Sequence, residues 1–352
     1  MSESRVVLVK IAGMFLLILA GWLARRRGHL PEEASGVLSR IVVDAAFPAL
    51  VFTQMLRTVD ATSLRQDWLL PLLPIPLVAI AYLIGRAVAP LFGGRAQRNT
   101  VLFLITSPNW VFLPLPIAEA LYGGAGVRVV LLCNIGAQLA LWSIGVWILH
   151  GRIAQALRNL ATNIGLWATA GGIAAALAFP GLRGLGDLHA ASASLGGLVG
   201  AAVIDALAMV GSLTIPLSLL AIGAQLGALS IPLRRLPTSL WGVVLTRLIL
   251  APLATVAFGL VLARAGFHLP DLTRMVVLLV AAMPVAIVCS VMAERYGGDA
   301  HLAAQAVFLS TLFSLVTVPA LFYLFSTPGT VSAGGSSPGA RTSTRDIRQA
   351  AR

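Results

Sequence analysis

The sequence predicts an all-α polytopic membrane protein of ten transmembrane helices in two inverted five-helix repeats, and three observations carry that prediction. The chain is 58% hydrophobic and only 11% charged, with a mean hydropathy of +0.91, which lies outside the range of soluble globular domains. Its 352 residues divide into ten apolar runs joined by short polar segments. The fourth and ninth runs, one in each half, are interrupted by proline within SPNWVFLPLP (107–116) and AAMPVAIVCS (281–290).

A hydrocarbon core about 30 Å thick needs roughly 20 residues of helix. The runs fall near 6–24, 38–56, 68–90, 99–121, 126–149, 162–180, 200–226, 238–263, 273–293 and 302–326. The first ends in Arg25, Arg26 and Arg27 without a small-residue cleavage site, so it is expected to stay as a helix rather than be removed as a leader. Basic residues mark the first, third, fifth and seventh joints: Arg25 to Arg27, Arg95 and Arg98, Arg152 and Arg158, Arg234 and Arg235. The even joints are poorer and partly neutralised by Asp60, Asp67 and Asp271. By the positive-inside rule the odd joints are cytoplasmic, which puts both termini on the periplasmic face of the cell inner membrane. The net charge of +12 is spread over these joints rather than gathered in a stripe, so no nucleic-acid partner is expected. Residues 327–352, rich in Ser, Gly, Thr and Pro, read as a disordered tail.

Five runs lie on each side of the segment 151–161, giving a first repeat over 1–150, a short cytoplasmic connector, and a second repeat over 162–326. An odd number of helices per half forces the halves to insert in opposite orientations, a transporter architecture. Pro48 and Pro216 are 168 residues apart, as are Pro116 and Pro284, so corresponding runs carry a break in both halves. Other registers compete. ALYGGAG (120–126) and ERYGGDA (294–300) align at an offset of 174, and Pro108 pairs with Pro284 at 176. The segments pair without one residue register.

A helix interrupted at membrane depth survives only where protein or water satisfies the freed backbone groups. Each break also leaves a half-helix start whose unpaired N–H groups and partial positive charge suit an anion. Candidate contacts at the first break are Ser107, Pro108, Asn109 and Pro116, and at the second Pro284, Val285 and Ser290. A kink in a packing helix is the plainer reading of any single proline. Asp44, four residues before Pro48, is the candidate ionisable group for a proton or cation pathway, unless it sits near a helix end and reaches water. Asn134 and Gln138 share a helix face and either contact substrate or join helices. Gln225 faces a cation site or packs. Arg247, well inside the eighth run, pairs with a carboxylate or a substrate anion, or snorkels to the surface. Asp205 and His150 read as interfacial.

Enzyme signatures are missing. Lys10 is the only lysine, so no GxxxxGK phosphate loop exists, and HExxH and GxSxG are absent. Cys133 and Cys289 stand alone in separate runs. No metal, cofactor or catalytic residue is expected.

Four stretches together resemble the auxin efflux carrier family: LARRRGHLPEEASGVLSRIVVDAAFPALVF (23–52), SPNWVFLPLPIAEALYG (107–123), TIPLSLLAIGAQLG (214–227) and AAMPVAIVCSVMAERYGGDAHLAAQAVFLSTLFSLVTVP (281–319). The resemblance implies a scaffold group and a moving group of helices, with broken helices 4 and 9 crossed at the substrate, both termini outside, and a homodimer. Asn109 is similar to the family's crossover asparagine, Pro116 and Pro284 to its crossover prolines, and Gln138 to a polar position of helix five. Val285 stands where plant carriers have a polar residue and Pro114 where a glycine is common, which argues against auxin and for a small carboxylate. The expected function is secondary transport of a small organic anion by alternating access, with Asp44 as the proton-linkage candidate. A sodium-coupled symporter using Gln225 and Asp44, or a membrane sensor that binds without transport, are the alternatives.

Overall fold

The structure, a computed structural model, describes residues 3–92, 94, 96–151, 154, 158, 161–182, 195–228 and 236–325. Most of the expected connector and the whole tail 327–352 lie outside these residues. The described chain is helical throughout, with no named strand and one isolated antiparallel bridge between Pro108 and Val285.

Helix α1 (Glu3–Arg26) is followed by a turn at Gly28, whose φ of 78° favours glycine, and then by α2 (Glu32–Ile41). α2 runs through a π-helical turn, Val42–Ala46, into α3 (Phe47–Thr58). Pro48 therefore marks a bulge rather than a break: the Phe47 N–H reaches the Val42 carbonyl across the widened turn, and Pro48 sits in the first turn of α3, where a missing N–H is tolerated. Short α4 (Ala61–Gln66) is capped by Asp60 and Ser63 reciprocally. α5 (Pro74–Phe92) starts later than its apolar run, because residues 67–73 form tight turns.

α6 (Arg98–Thr106) stops at the first proline-rich segment and α7 (Pro114–Ala140) restarts with Pro114 and Pro116 in its first turn. Gly123, with φ 58° and ψ −150°, kinks α7 at the joint between the fourth and fifth runs. The chain continues through a π turn, Leu141–Gly145, to α8 (Val146–His150), and then to α9 (Ile164–Ala178). α10 (Leu195–Ser212) and α11 (Thr214–Ala228) part at Leu213, just before Pro216. α12 (Thr238–Leu245), a π turn (Thr246–Leu250) and α13 (Ala251–Arg264) form one long rod. α14 (Asp271–Ala281) and α15 (Val288–Arg295) flank the second interruption, and α16 (Ala300–Phe325) closes the described chain.

Six helical stretches among the described residues are long and apolar enough to cross a membrane: Gly36–Thr58, Pro74–Phe92, Pro114–His150, Gly197–Gln225, Thr238–Arg264 and Ala300–Phe322. α6, α14 and α15 fall short of a bilayer singly, which follows directly from the proline interruptions. Large apolar side chains such as Leu16, Leu83, Trp167 and Val316 stay exposed on the outer surface, as lipid contact requires.

Without a hydrophobic drive between helices in lipid, close packing needs small residues. α1 and α11 meet this way: a Cβ on Gly21 would strike the Leu220 carbonyl, one on Gly223 the Ile18 carbonyl, and one on Gly227 the Arg25 side chain. α3 packs on α9 and α10, while α5, α6, α12, α14 and α16 surround the two interruptions. Gly223→Val is expected to push α1 off α11 and lower the thermal midpoint in detergent by several degrees, since overpacking costs about 1–3 kcal/mol even against side chains that can yield. Gly13→Val, on open surface of the same pair, should leave the midpoint unchanged.

Candidate functional site

Two stretches of non-helical backbone lie side by side at the centre of the molecule. The Asn109 N–H donates to the Pro284 carbonyl at 2.8 Å, and the Ala286 N–H donates to the Ser107 carbonyl at 2.9 Å. These bonds frame the Pro108–Val285 bridge, so the two interruptions satisfy each other. The Val285 N–H is taken by the Ser310 hydroxyl of α16 at 3.1 Å. Every residue of 281–286 is buried.

The helix ends that stop at this crossing leave carbonyls without intrahelical partners. Arg247, 2% exposed, collects them. Its Nε donates to the Met283 carbonyl at 3.3 Å, Nη1 to Ile105 at 3.0 Å and Nη2 to Ala281 at 2.6 Å. One guanidinium thus caps the C-termini of α6 and α14, where two helix dipoles present partial negative charge. This replaces the reading of Arg247 as a partner for a substrate anion or a snorkelling residue. It borders a water-sized void with Thr106 and Thr255, away from the large cavity described next.

On the other side of the crossing is a cavity of about 270 Å³. Among the residues singled out from sequence, Asp44, Pro108, Asn109, Asn134 and Gln138 line it together. Asn109 is buried, and its Oδ1 accepts from the N–H groups of Val111 at 3.3 Å and Phe112 at 3.0 Å. Asn109 Oδ1 thus closes a turn in the segment before α7, whose own N-cap, Leu113, makes no side-chain hydrogen bond. Asn109 Nδ2, by contrast, is buried with no hydrogen-bond partner. Such a donor costs about 1–3 kcal/mol unless something binds it.

Asn134 and Gln138 lie on one face of α7, as their spacing requires, and Gln138 Oε1 accepts from Trp142 Nε1 at 3.0 Å. Asp44 is exposed on the π turn between α2 and α3. The remaining candidates do not line this cavity. Ser107, Pro284 and Val285 build the crossing through their backbone, Pro116 starts α7, and the Ser290 hydroxyl donates to the Ile287 carbonyl one turn back. Gln225 is half-buried on α11.

The cavity also uses residues that sequence reasoning passes over. Phe47, Trp110 and Phe112 supply aromatic walls, and the rings of Phe47 and Phe112 meet at a tilt of 56° with centroids 5.9 Å apart. Asn163, whose side chain caps α9 through Leu166 N–H, lies at the rim with Thr162. Arg295, the last residue of α15, is the one basic residue lining the cavity among the described residues. Its signal lies in ERYGGDA, where the glycines draw the alignment and the charge passes unnoticed.

A family model described as "Membrane transport protein" matches residues 6–164 and 192–322. An uncharacterized transporter of Methanothermobacter thermautotrophicus is 27% identical over 316 residues, covering 88% of this chain and 95% of the relative. An uncharacterized transporter of Methanocaldococcus jannaschii is 23% identical over 316 residues, covering 87% and 94%. A putative malonate transporter of Rhizobium meliloti is 28% identical over 342 residues, covering 90% and 96%.

Proposed function

The chain belongs to the membrane transport protein family, the auxin efflux carrier family that its motifs resemble, and we propose that it moves a small carboxylate across the cytoplasmic membrane by alternating access. The observation that carries this reading is the unpartnered Asn109 Nδ2, buried at a backbone crossing on a residue that lines a cavity together with Asn134 and Gln138. A buried amide N–H suits an acceptor, and a carboxylate is the strongest acceptor of matching size. The name given to the Rhizobium meliloti relative points to the same chemical class.

In this reading residues 1–150 and 162–326 are the inverted halves, with ten spans between them. The irregular turns before Pro48 and before Pro216 support the pairing, as do the interruptions that bond to each other. The exposed Thr162 and Arg295 put the cavity mouth beside the fifth and ninth joints. With the odd joints cytoplasmic, this conformation faces inward and both termini lie outside. Far from the mouth, Arg128 Nε binds Asp67 at 2.9 Å and joins the start of the fifth run to the second joint, an arrangement suited to closing the outer side. Asp44 is the coupling residue of this reading, since it borders the cavity and Gln225 does not.

Flux into proteoliposomes tests it. Saturable uptake of at least one labelled mono- or dicarboxylate is expected, driven by a pH gradient and equal in sodium and choline media. Uptake that requires sodium would move the coupling to a symporter. No flux for any acid, with saturable binding retained, would point instead to a sensor.

A further inference from the structure

Among the described residues the cavity is lined by two charged side chains of opposite sign, Asp44 and Arg295. Arg247 does not line it and its guanidinium is occupied by carbonyls, so among the described residues the positive charge that a bound anion meets in this cavity is that of Arg295. Its placement is built rather than incidental. Arg295 ends α15, the half-helix that begins directly after the second interruption, so its position is tied to the crossing. The guanidinium carbon lies 5.8 Å from the centroid of Tyr296, a buried ring that His150 meets edge-on at 6.3 Å. A cation over an aromatic face is held without being neutralised. Among the described residues Arg295 is in no ion pair, unlike Arg128 with Asp67 and Arg274 with Asp271.

We propose that Arg295 is the charge-selecting residue of the cavity, the group that meets the substrate carboxylate at the mouth, with Asp44 opposing it. This deepens the carboxylate reading above and rests on it. Arg295 sets the sign of charge that is admitted; Asn109 sets the hydrogen-bond contact at the crossing. The field at a cleft mouth is stronger than at open surface, because low-dielectric walls focus it, and it weakens with added salt.

The test compares wild type, Arg295→Gln, Arg295→Lys and Arg295→Glu for stabilisation by butyrate, malonate and succinate, each paired with its uncharged amide, at low and high ionic strength. Arg295→Gln is expected to weaken acid binding about tenfold at low salt and less at high salt, and to leave the amides unchanged. Arg295→Lys should retain most of the affinity, and Arg295→Glu should lose it. Acid binding by Arg295→Gln that equals wild type would overturn the assignment while the carboxylate reading stands. An equal loss for acids and amides would show that Arg295 only shapes the cavity. If wild type binds no acid while all variants keep its thermal midpoint, the carboxylate reading fails and takes this one with it.

Discussion

Arg247→Met should destabilise the protein by about 3 kcal/mol or more and expose the backbone crossing. The substitution keeps a long apolar side chain and removes the donors that reach Ile105, Ala281 and Met283. A hydrogen bond to a charged group contributes about 1.5–3 kcal/mol, and a buried carbonyl left unpaired costs about 1–3 kcal/mol. Part of that loss is offset because the buried charge no longer has to be desolvated. The residual is still large, since two helix C-termini lose their common cap at a buried site. Arg247→Lys should fall between, because an ammonium is a point donor and cannot span carbonyls from both helices in a fixed fork.

Two measurements check this. The thermal midpoint reports the global loss. Local opening is read from Cys289, fully buried with its Sγ 3.9 Å from the Ser107 carbonyl, by thiol labelling in a Cys133→Ala background. Labelling should be slow while Arg247 is present and much faster in the Arg247→Met variant. An unchanged midpoint together with a shielded Cys289 would mean that the crossing stands without the guanidinium.

The helical runs are legible in the sequence because apolar length is the strongest signal a bilayer imposes. So are the places where helices stop: Pro108, Pro114 and Pro284 lack donors, and the observed ends fall at Thr106 and Ala281. Which groups then satisfy the loose backbone is not legible. Arg247 lies 142 positions from Ile105 and 34 from Ala281, and no local pattern announces a long-range cap. The same limit applies to Asn109. Its residue type suggests contact with a ligand, but only the three-dimensional arrangement separates its two ends, one closing the turn before α7 and one unpaired. Pro48 illustrates the opposite error, since proline predicts a break where one extra residue per turn absorbs it as a bulge. Arg295 escapes a reading by motif because its neighbours supply a stronger pattern than its charge does.

Asn109→Asp separates the structural from the functional half of that residue. Aspartate keeps the oxygen that accepts from Val111 and Phe112, so the turn before α7 stays closed and the thermal midpoint should move by only a few degrees. The other position changes from an unpartnered N–H donor to a carboxylate oxygen, which repels an anion instead of binding it. Losing one hydrogen bond to a charged ligand corresponds to about 1.5–3 kcal/mol, or roughly 10- to 150-fold in affinity, and the added repulsion makes the lower figure a floor. Acid-dependent stabilisation and proteoliposome flux should therefore both fall by at least about tenfold. Asn109→Ala should lose the same binding and, in addition, about 1 kcal/mol from the lost turn hydrogen bonds. If Asn109→Asp binds and carries carboxylates as wild type does, the anion sits elsewhere, and the free amide would then have to be matched to a cation-tolerant or neutral solute. If both variants unfold alike, the turn-closing role outweighs the other, and flux through Asn109→Ser, which keeps a short side-chain oxygen acceptor without the amide donor, decides between them.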